Sequence, residues 1–257
     1  MNKRDSGERE GRFGPVFLAD WLDAVFIHFR LDPRVLRPAV PLELDLFDGH
    51  AYLSLVAFTQ RRLRPIWGGR LTERLSTPLA HHSFLNLRTY VRYENRPAIF
   101  FLAEWITNRL AVLVGPALYG LPYRLGKLNY RTTGGESMRS VRARGSQFVC
   151  RASWIDIAVE TSVEGSEAEF LLERYAAFTL RGGILRRFRI AHRPWRQTRA
   201  TVTIGRTDLL DLALPPPCAA HYSPGVLDVA IGAPERMADA EPGWEFAPQR
   251  LTLPAWK

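Results

Sequence analysis

The chain has 257 residues, of which 46% are hydrophobic, and its formal net charge is +9 at pH 7. This length and hydrophobic content suffice for one large core or two smaller ones. The longest apolar stretch, Leu110 to Leu121, is interrupted by glycines and a proline, so it falls short of the roughly 18–20 apolar residues of a membrane span. We therefore expect no membrane-spanning segment, and the polar N-terminus indicates no signal peptide.

The positive charge is concentrated in one segment. Seven arginines lie between Arg181 and Arg199 without a carboxylate, and Phe188 and Trp195 are interleaved with them. Such a pattern would suit phosphate contacts and base stacking, so nucleic-acid binding is one hypothesis. A solvated strand face or an oligomer contact is the commoner outcome, and we favour it.

No motif for a metal or a cofactor is present. The two cysteines, Cys150 and Cys218, lack Cys-x-x-Cys spacing, and the adjacent His81 and His82 would face opposite ways on a strand. Nucleotide-binding glycine fingerprints and Gly-x-Ser-x-Gly are also missing. We expect no metal and no cofactor, and so few cysteines are typical of a cytoplasmic protein.

The first predicted strand runs from Val25 to Leu31. Hydrophobic residues alternate along it, which places His28 and Arg30 on the opposite face. Asp32 followed by Pro33 then predicts the N-cap and first position of a short helix.

A hairpin is predicted next. Two alternating runs, Leu42 to Phe47 and His50 to Phe58, flank Asp48-Gly49, the preferred dipeptide of a type I′ turn. If Phe47 pairs with His50, the leucines of the first run oppose apolar residues of the second. Arg61 to Thr77 has no clear periodicity and is predicted as a long loop, either a lid over a site or a simple connection.

Two further strands follow this loop. Phe84 to Tyr93 alternates, and its polar face carries Asn86, Arg88, Tyr90 and Arg92. Ala98 to Trp105 is almost continuously apolar, which is typical of a central strand covered on both faces, yet it contains Glu104 near its end.

The rest of the chain alternates helix and strand signals. The predicted elements are a helix that Thr107 caps and that runs to about Tyr119, strands Tyr123 to Arg131, Met138 to Arg144 and Gln147 to Trp154, and a helix from Ser166 with capping-box spacing to Glu169. Many hairpins and few helices favour a closed barrel or curled sheet. We predict one domain over residues 15–232, a disordered tail over 1–14 and a C-terminal tail over 233–257.

The chain contains, in this order, the segments FIHFRLDPRVLRPAVPLELDLFDGHAYLSLVAF, FLNLRTYV and LPYRLGKLNY. Together they resemble the YqjF-like family, also called domain of unknown function 2071, over roughly Trp21 to Ile231. That family is similar to the acetoacetate decarboxylase-like superfamily. The resemblance implies a mainly β (α+β) fold, a cone-shaped β-barrel around a small-molecule cavity, with flanking antiparallel strands and two or three short helices. By analogy it also implies a homo-oligomer.

The decarboxylases carry a Gly-x-Pro-Lys-Lys stretch that supplies a Schiff-base lysine and its neighbour. The similar stretch here ends in Tyr123 and Arg124, and neither side chain can form an imine with a ketone. Lys127 lies about 10 Å further along a strand and faces the other way from Arg124. Phe84 replaces a glutamate that many relatives carry. The resemblance therefore predicts a cavity without Schiff-base chemistry.

Arg88 is the leading candidate for ligand binding, because a guanidinium can grip a carboxylate with two hydrogen bonds. Asn86 and Tyr90 share its face. The alternative is a structural ion pair of Arg88 with Glu104 or Glu43, and it stays open.

Three side chains are candidates for acid–base work. Because a histidine ordinarily titrates near neutral pH, His28 could serve as a general acid or base, although a lone strand histidine is more often a packing residue. Burial would raise the pKa of Glu104 unless Arg88 or Arg124 pairs with it. By the resemblance, Tyr123 points its hydroxyl into the cavity.

The sequence thus predicts a small-molecule enzyme or enzyme-like protein that binds a small anionic organic acid or carbonyl compound. The alternative is a ligand-binding barrel without catalysis. The predicted catalytic residues are His28, Glu104 and Tyr123, and the predicted ligand-binding residues are Arg30, Asn86, Arg88, Tyr90 and Arg124.

Overall fold

The computed structural model describes residues 14–155, 159–210 and 214–239, and these residues are mainly β. The strands are β1 (Pro15–Leu31), β2 (Glu43–Leu44), β3 (Ala51–Pro65), β4 (His82–Tyr93), β5 (Arg96–Ile106), β6 (Tyr123–Leu125), β7 (Lys127–Thr133), β8 (Glu136–Ala143), β9 (Ser146–Ser153), β10 (Ala176–Arg181), β11 (Ile184–Ala191), β12 (Thr198–Arg199), β13 (Thr201–Arg206), β14 (Ala219–Gly232) and β15 (Glu235–Asp239). The α-helices are α1 (Pro33–Leu36), α2 (Gly69–Ser76), α3 (Arg109–Tyr119) and α4 (Glu167–Leu172), and 3-10 turns lie at Arg37–Ala39, Thr77–Leu79 and Asp208–Leu210.

Seven strands form a closed ring in the order β14, β1, β3, β4, β5, β10 and β11. The ring closes where β11 pairs with β14, through Ile190 opposite Ile231 and Ala191 opposite Ala230. All neighbours in the ring are antiparallel except β5 and β10, which are parallel. The predicted mainly β fold with a sheet that curls on itself is confirmed.

A second, four-stranded sheet of β7, β8, β9 and β13 packs against the outside of the ring. The core between the two sheets contains Val25 and Ile27 of β1, Leu87 of β4, and Val141 and Phe148 of the second sheet. The alternation predicted for β1 and β4 is confirmed, because their apolar faces lie in this core. Their other faces are thereby turned toward the interior of the ring.

The predicted hairpin is right at its tip and wrong along its arms. Asp48 and Gly49 both have positive φ, and Phe47 exchanges two backbone hydrogen bonds with His50 at 3.0 Å. Beyond the tip, however, β3 pairs with β1 and β4, and β2 pairs with β4. Because longer strands occupy both edges of β3, the segment before the turn has no free edge of β3 to pair with.

Other segments also differ from the prediction. Within Arg61 to Thr77, predicted as a loop, β3 continues to Pro65 and α2 forms. The predicted strand from Tyr123 to Arg131 is divided at Gly126 into β6 and β7, which belong to different sheets. The N-cap of α3 is Asn108 and not Thr107. The side chain of Asn108 accepts hydrogen bonds from the backbone amides of Leu110 and Ala111.

The predicted boundaries of the domain fall partly outside the described residues. Of the tail predicted over residues 1–14, only the last residue is among the described residues. The C-terminal tail predicted over 233–257 is described as far as residue 239. Between 233 and 239, β15 pairs with β11. Among the residues that the structure describes, no helix is long and apolar enough to cross a membrane.

Candidate functional site

A cavity of about 180 Å³ lies inside the ring of strands. Side chains of β1, β3, β4, β5, β11 and β14 line it, and α3 and the residues around α4 complete its wall. Four of the eight predicted site residues line this cavity together: Asn86, Arg88, Glu104 and Tyr123.

The strand register brings these four side chains together. Asn86 of β4 lies opposite Glu104 of β5, and Glu104 lies beside Tyr123 of the parallel strand β6. The register between β4 and β5 shifts between Leu87 and Arg88, which is a bulge in the ladder. Bulges re-aim side chains next to functional sites, and this one lies at the arginine of the cavity.

Arg88 is 8% exposed and makes no ion pair with a described residue. Its Nη2 donates to the backbone oxygen of Leu171 at 3.2 Å, and its Nε is buried without a hydrogen-bond partner. Its guanidinium carbon lies 5.7 Å from the ring centroid of Phe26. Neither Glu104 nor Glu43 neutralises it at ion-pair distance, so the geometry does not support a purely structural pair.

Glu104 is 3% exposed, and its Oε2 has no hydrogen-bond partner among the described residues. Burial raises its pKa well above the usual value, and the charge of Arg88 opposes this shift only in part. Its position therefore favours the neutral carboxylic acid over the carboxylate. A buried carboxyl in this state is typical of a general acid.

Tyr123 reaches the cavity because α3 comes very close to it. A Cβ added at Gly115 of α3 would lie 2.3 Å from Cε2 of the Tyr123 ring, so this position must be glycine for the ring to fit. Burial, and then the nearby Glu104, raise the pKa of Tyr123 well above its usual value. Its hydroxyl therefore stays protonated and is available as a hydrogen-bond donor.

His28 and Tyr90 lie behind the cavity wall in a hydrogen-bond chain. Tyr90 donates its hydroxyl proton to the backbone oxygen of Leu171 at 2.8 Å, so its oxygen accepts from Ser54 at 2.7 Å. Ser54 must then accept from Nδ1 of His28, also at 2.7 Å. This series of hydrogen bonds ends at the backbone oxygen of Leu171, which also accepts a hydrogen bond from Arg88.

The hydrogen bonds from His28 through Ser54 to Tyr90 place a proton on Nδ1 of His28. Burial lowers its pKa well below the usual value, and the neighbouring His221 adds to the shift. Its Nε2 is buried without a partner and does not line the cavity. His28 therefore lies outside the cavity wall and is connected to Tyr90 through Ser54.

Arg30 and Arg124, the other two predicted residues, lie at the exterior. Arg30 forms an ion pair with Glu167 at 2.9 Å. Arg124 is exposed, and its guanidinium carbon lies 5.4 Å from the ring centroid of Trp105. Lys127 is also exposed and does not line the cavity.

Sequence reasoning missed a second arginine in the cavity wall. Arg174 is buried, and its Nη1 donates to Asp45 at 2.7 Å, whereas its Nη2 has no partner. Its charge and that of Arg88 are close enough to repel each other. The burial of Arg174 could not be predicted from its sequence neighbours, because its partner Asp45 lies 129 residues earlier in the chain.

Two histidines and the aromatic residues of the arginine-rich segment also line the cavity. Burial lowers the pKa of His82 to about 4, and burial also lowers the pKa of His192. Phe188 and Trp195 are buried in the wall, so they face the cavity and are not free to stack on bases. Among the residues described, no group of three or more His, Cys, Asp or Glu side chains is arranged to hold a metal ion.

Comparison with solved structures shows the class of fold. Acetoacetate decarboxylase from Legionella pneumophila matches with a TM-score of 0.63 and 10% identity, covering 93% of this chain and 98% of its own. The enduracididine biosynthesis enzyme MppR, in complex with pyruvate, matches with a TM-score of 0.61 and 13% identity, covering 90% and 94%. The ring of strands around a cavity is thus an acetoacetate decarboxylase-like fold.

Sequence comparison then shows the family. The model of DUF2071, described as an uncharacterized conserved protein, matches residues 18–227. The uncharacterized protein YqjF of Bacillus subtilis (strain 168) is 30% identical over 195 residues, covering 74% of this chain and 78% of its own. The chain belongs to the DUF2071 family.

Proposed function

We propose that the chain is a small-molecule enzyme, or an enzyme-like protein, that binds a small anionic organic acid or carbonyl compound in the cavity of its ring of strands. The observation that carries the proposal is Arg88, a buried guanidinium in the cavity wall that has no carboxylate partner among the residues that the structure describes. A buried charge is stable only when it is paired, and a bound carboxylate would supply the missing partner.

The proposed chemistry does not use an imine. The sequence has three lysines, and Lys127, the only one within the described residues, is exposed on β7. Two groups in the cavity wall are candidate proton donors, Glu104 and Tyr123, because burial favours the protonated form of each. With a keto acid bound to Arg88, Glu104 would protonate the carbonyl oxygen and Tyr123 would donate a hydrogen bond to it. Enolisation would also need a base for the proton that leaves the carbon next to the ketone, and Nδ1 of the neutral His82 in the cavity wall, which has no hydrogen-bond partner among the described residues, would accept it. Hydration or dehydration of the carbonyl group would use the same donors.

The alternative is a ligand-binding protein without catalysis. The same contacts from Arg88 would hold the acid, and Glu104 would donate a hydrogen bond without transferring its proton. Deuterium exchange at the carbon next to the ketone, which is the methyl carbon of pyruvate, separates the two functions, because only an enolising protein labels it. We expect labelling of pyruvate by the intact chain and none by Glu104→Gln.

A binding experiment tests the main proposal. Isothermal titration with pyruvate and acetoacetate is expected to show binding that Arg88→Met weakens by about tenfold or more, because the charged pair is lost. Arg206→Met, at an arginine that pairs with Asp208 on the surface, is the matched control and should bind normally. Equal affinities for the two variants would refute a role for Arg88.

Borohydride reduction in the presence of pyruvate tests the absence of imine chemistry. Mass spectrometry should find the chain at its unmodified mass. A reduced adduct on Lys127 would show that this residue reaches a substrate and would overturn this part of the proposal.

A further inference from the structure

Much of the wall of the cavity is aromatic. Three pairs of rings lie nearly parallel along it: Phe58 with Phe84, Trp21 with Trp195, and Phe101 with Phe188. Their ring centroids are 4.8, 6.4 and 6.4 Å apart, and their planes are within 6°, 16° and 11° of each other. These rings come from different strands of the ring and from the segment after β11, so the fold gathers them.

Several polar groups of the cavity lie around Arg88. Asn86 and Glu104 are cross-strand partners next to it, and Arg174 and His192 are near enough to feel its charge. Buried nitrogens without partners lie on both arginines, Nε of Arg88 and Nη2 of Arg174. The cavity therefore combines cationic groups that have unused N–H donors with a wall of aromatic rings, and the two meet where Phe101 lies opposite Arg88.

The volume of the cavity limits what fits. A dry cavity of about 150 Å³ holds one benzene ring. The present cavity, at about 180 Å³, has room for one ring and a short acidic arm, and not for two fused rings. Pyruvate alone would leave the aromatic walls without contacts, and unfilled apolar space costs stability.

We infer that the ligand is a carboxylic acid with a single aromatic ring, or an apolar ring of that size, whose carboxylate meets Nε of Arg88 and Nη2 of Arg174 while its ring lies among the aromatic walls. This inference rests on the proposed function and adds the class of acid. Burial of the ring would contribute the larger share of affinity, and the two guanidiniums would set the orientation.

Titration of the intact chain with a graded series of acids tests this. The probes are acetate, pyruvate, phenylacetate, phenylpyruvate, 2-naphthylacetate and the uncharged phenylacetamide. We expect phenylacetate and phenylpyruvate to bind roughly tenfold or more tighter than acetate and pyruvate. Phenylacetamide and 2-naphthylacetate should each bind about tenfold more weakly than phenylacetate. Phenylacetamide lacks the negative charge, and 2-naphthylacetate is too large for the cavity.

The outcomes separate the two proposals. If none of the acids binds, the proposed function fails and the inference fails with it. If acetate and pyruvate bind as tightly as the phenyl acids, or 2-naphthylacetate binds as tightly as phenylacetate, only the inference fails. If phenylacetamide matches phenylacetate, recognition of the carboxylate by the arginines is refuted.

Two variants of α3 locate the ring. Ala111 is buried in the cavity wall, whereas Ala117 is exposed on the same helix. Ala111→Leu should weaken the binding of phenylacetate by about tenfold and the binding of pyruvate by much less, and Ala117→Leu should change neither affinity. Val114→Phe, at a half-buried position of the wall, is a second test if Ala111→Leu does not fold. Unchanged phenylacetate affinity in the folded variant would overturn the placement of the ring.

Discussion

At the scale of single residues, Glu104 couples the cavity to pH. Its pKa is raised in the folded chain, so the unfolded chain loses this proton at lower pH than the folded chain does. Above the ordinary carboxyl pKa of about 4.3, stability is then expected to fall as pH rises, by up to about 1.4 kcal/mol per pH unit from this group. The fall ends at the folded-state pKa. Glu104 thus reduces stability at neutral pH and has little effect below pH 4.

Glu104→Gln removes the titration and keeps the shape of the side chain. We expect the variant to be more stable than the unmodified chain at pH 7.5, with a gain that shrinks toward pH 4.5. Urea unfolding at several pH values measures the difference in the free energy of unfolding. A difference that is independent of pH would mean that Glu104 ionises normally in the folded chain.

Tyr90 shows how a residue outside the cavity acts on it. Tyr90→Phe removes the hydroxyl that binds Leu171 and leaves the buried Ser54 short of a partner, which should cost about 1–3 kcal/mol of stability. Because the Leu171 carbonyl also holds Arg88, acid binding should weaken while binding of neutral molecules does not change. Titration with phenylacetate and phenylacetamide measures both, and an equal loss for the two would indicate general disorder of the site.

The sequence identifies part of this site because strand alternation is a local signal. Asn86 and Arg88 share the polar face of β4, and Glu104 stands out in an apolar strand. Tyr123 was predicted from the resemblance alone. Arg174 was not predicted, because its burial depends on Asp45 and on ring closure, and neither is encoded in neighbouring residues.

At the scale of elements, the approach of α3 to β6 depends on a missing methyl group. Gly115→Ala would raise helix propensity by about 1 kcal/mol if there were space for it. The 2.3 Å contact of its Cβ with the Tyr123 ring leaves none, so we expect a net loss of roughly 1–3 kcal/mol. Urea unfolding measures the change.

The control for this prediction is the same substitution in a chain that carries Tyr123→Ala. Without the ring, Gly115→Ala should become neutral or stabilising, since only the propensity is left. If the alanine is equally destabilising in both backgrounds, the contact with Tyr123 is not its cause.

The elements also show where prediction from sequence stops. The tip of the Asp48-Gly49 turn follows from two residues whose positive φ is determined locally. Strand partners do not follow from local signals, because β3 could pair with the preceding run or with the distant strands β1 and β4. The longer ladders bury more apolar surface and form instead.

At the scale of the whole molecule, the net charge of +9 does not indicate which ion pairs matter for stability, because only a few of them are buried. Asp45 is the main one, because it binds both Arg92 of β4 and Arg174, which follows α4. The single carboxylate therefore ties the ring of strands to the segment that closes one side of the cavity. Most other arginines with a carboxylate partner form that pair at least partly in solvent.

Asp45→Asn should destabilise the chain far more than loss of a surface pair. It would leave the guanidinium of Arg174 buried without a counter-charge, at a cost of roughly 3–5 kcal/mol. Glu235→Gln, which breaks the exposed pair with Arg187, is the matched control and should cost less than about 1 kcal/mol. Urea unfolding of both variants at pH 7 measures the contrast, and similar small losses would mean that solvent reaches Arg174. Since that arginine also faces the cavity, saturating phenylacetate should restore more stability to Asp45→Asn than to Glu235→Gln, because the bound carboxylate replaces the missing charge.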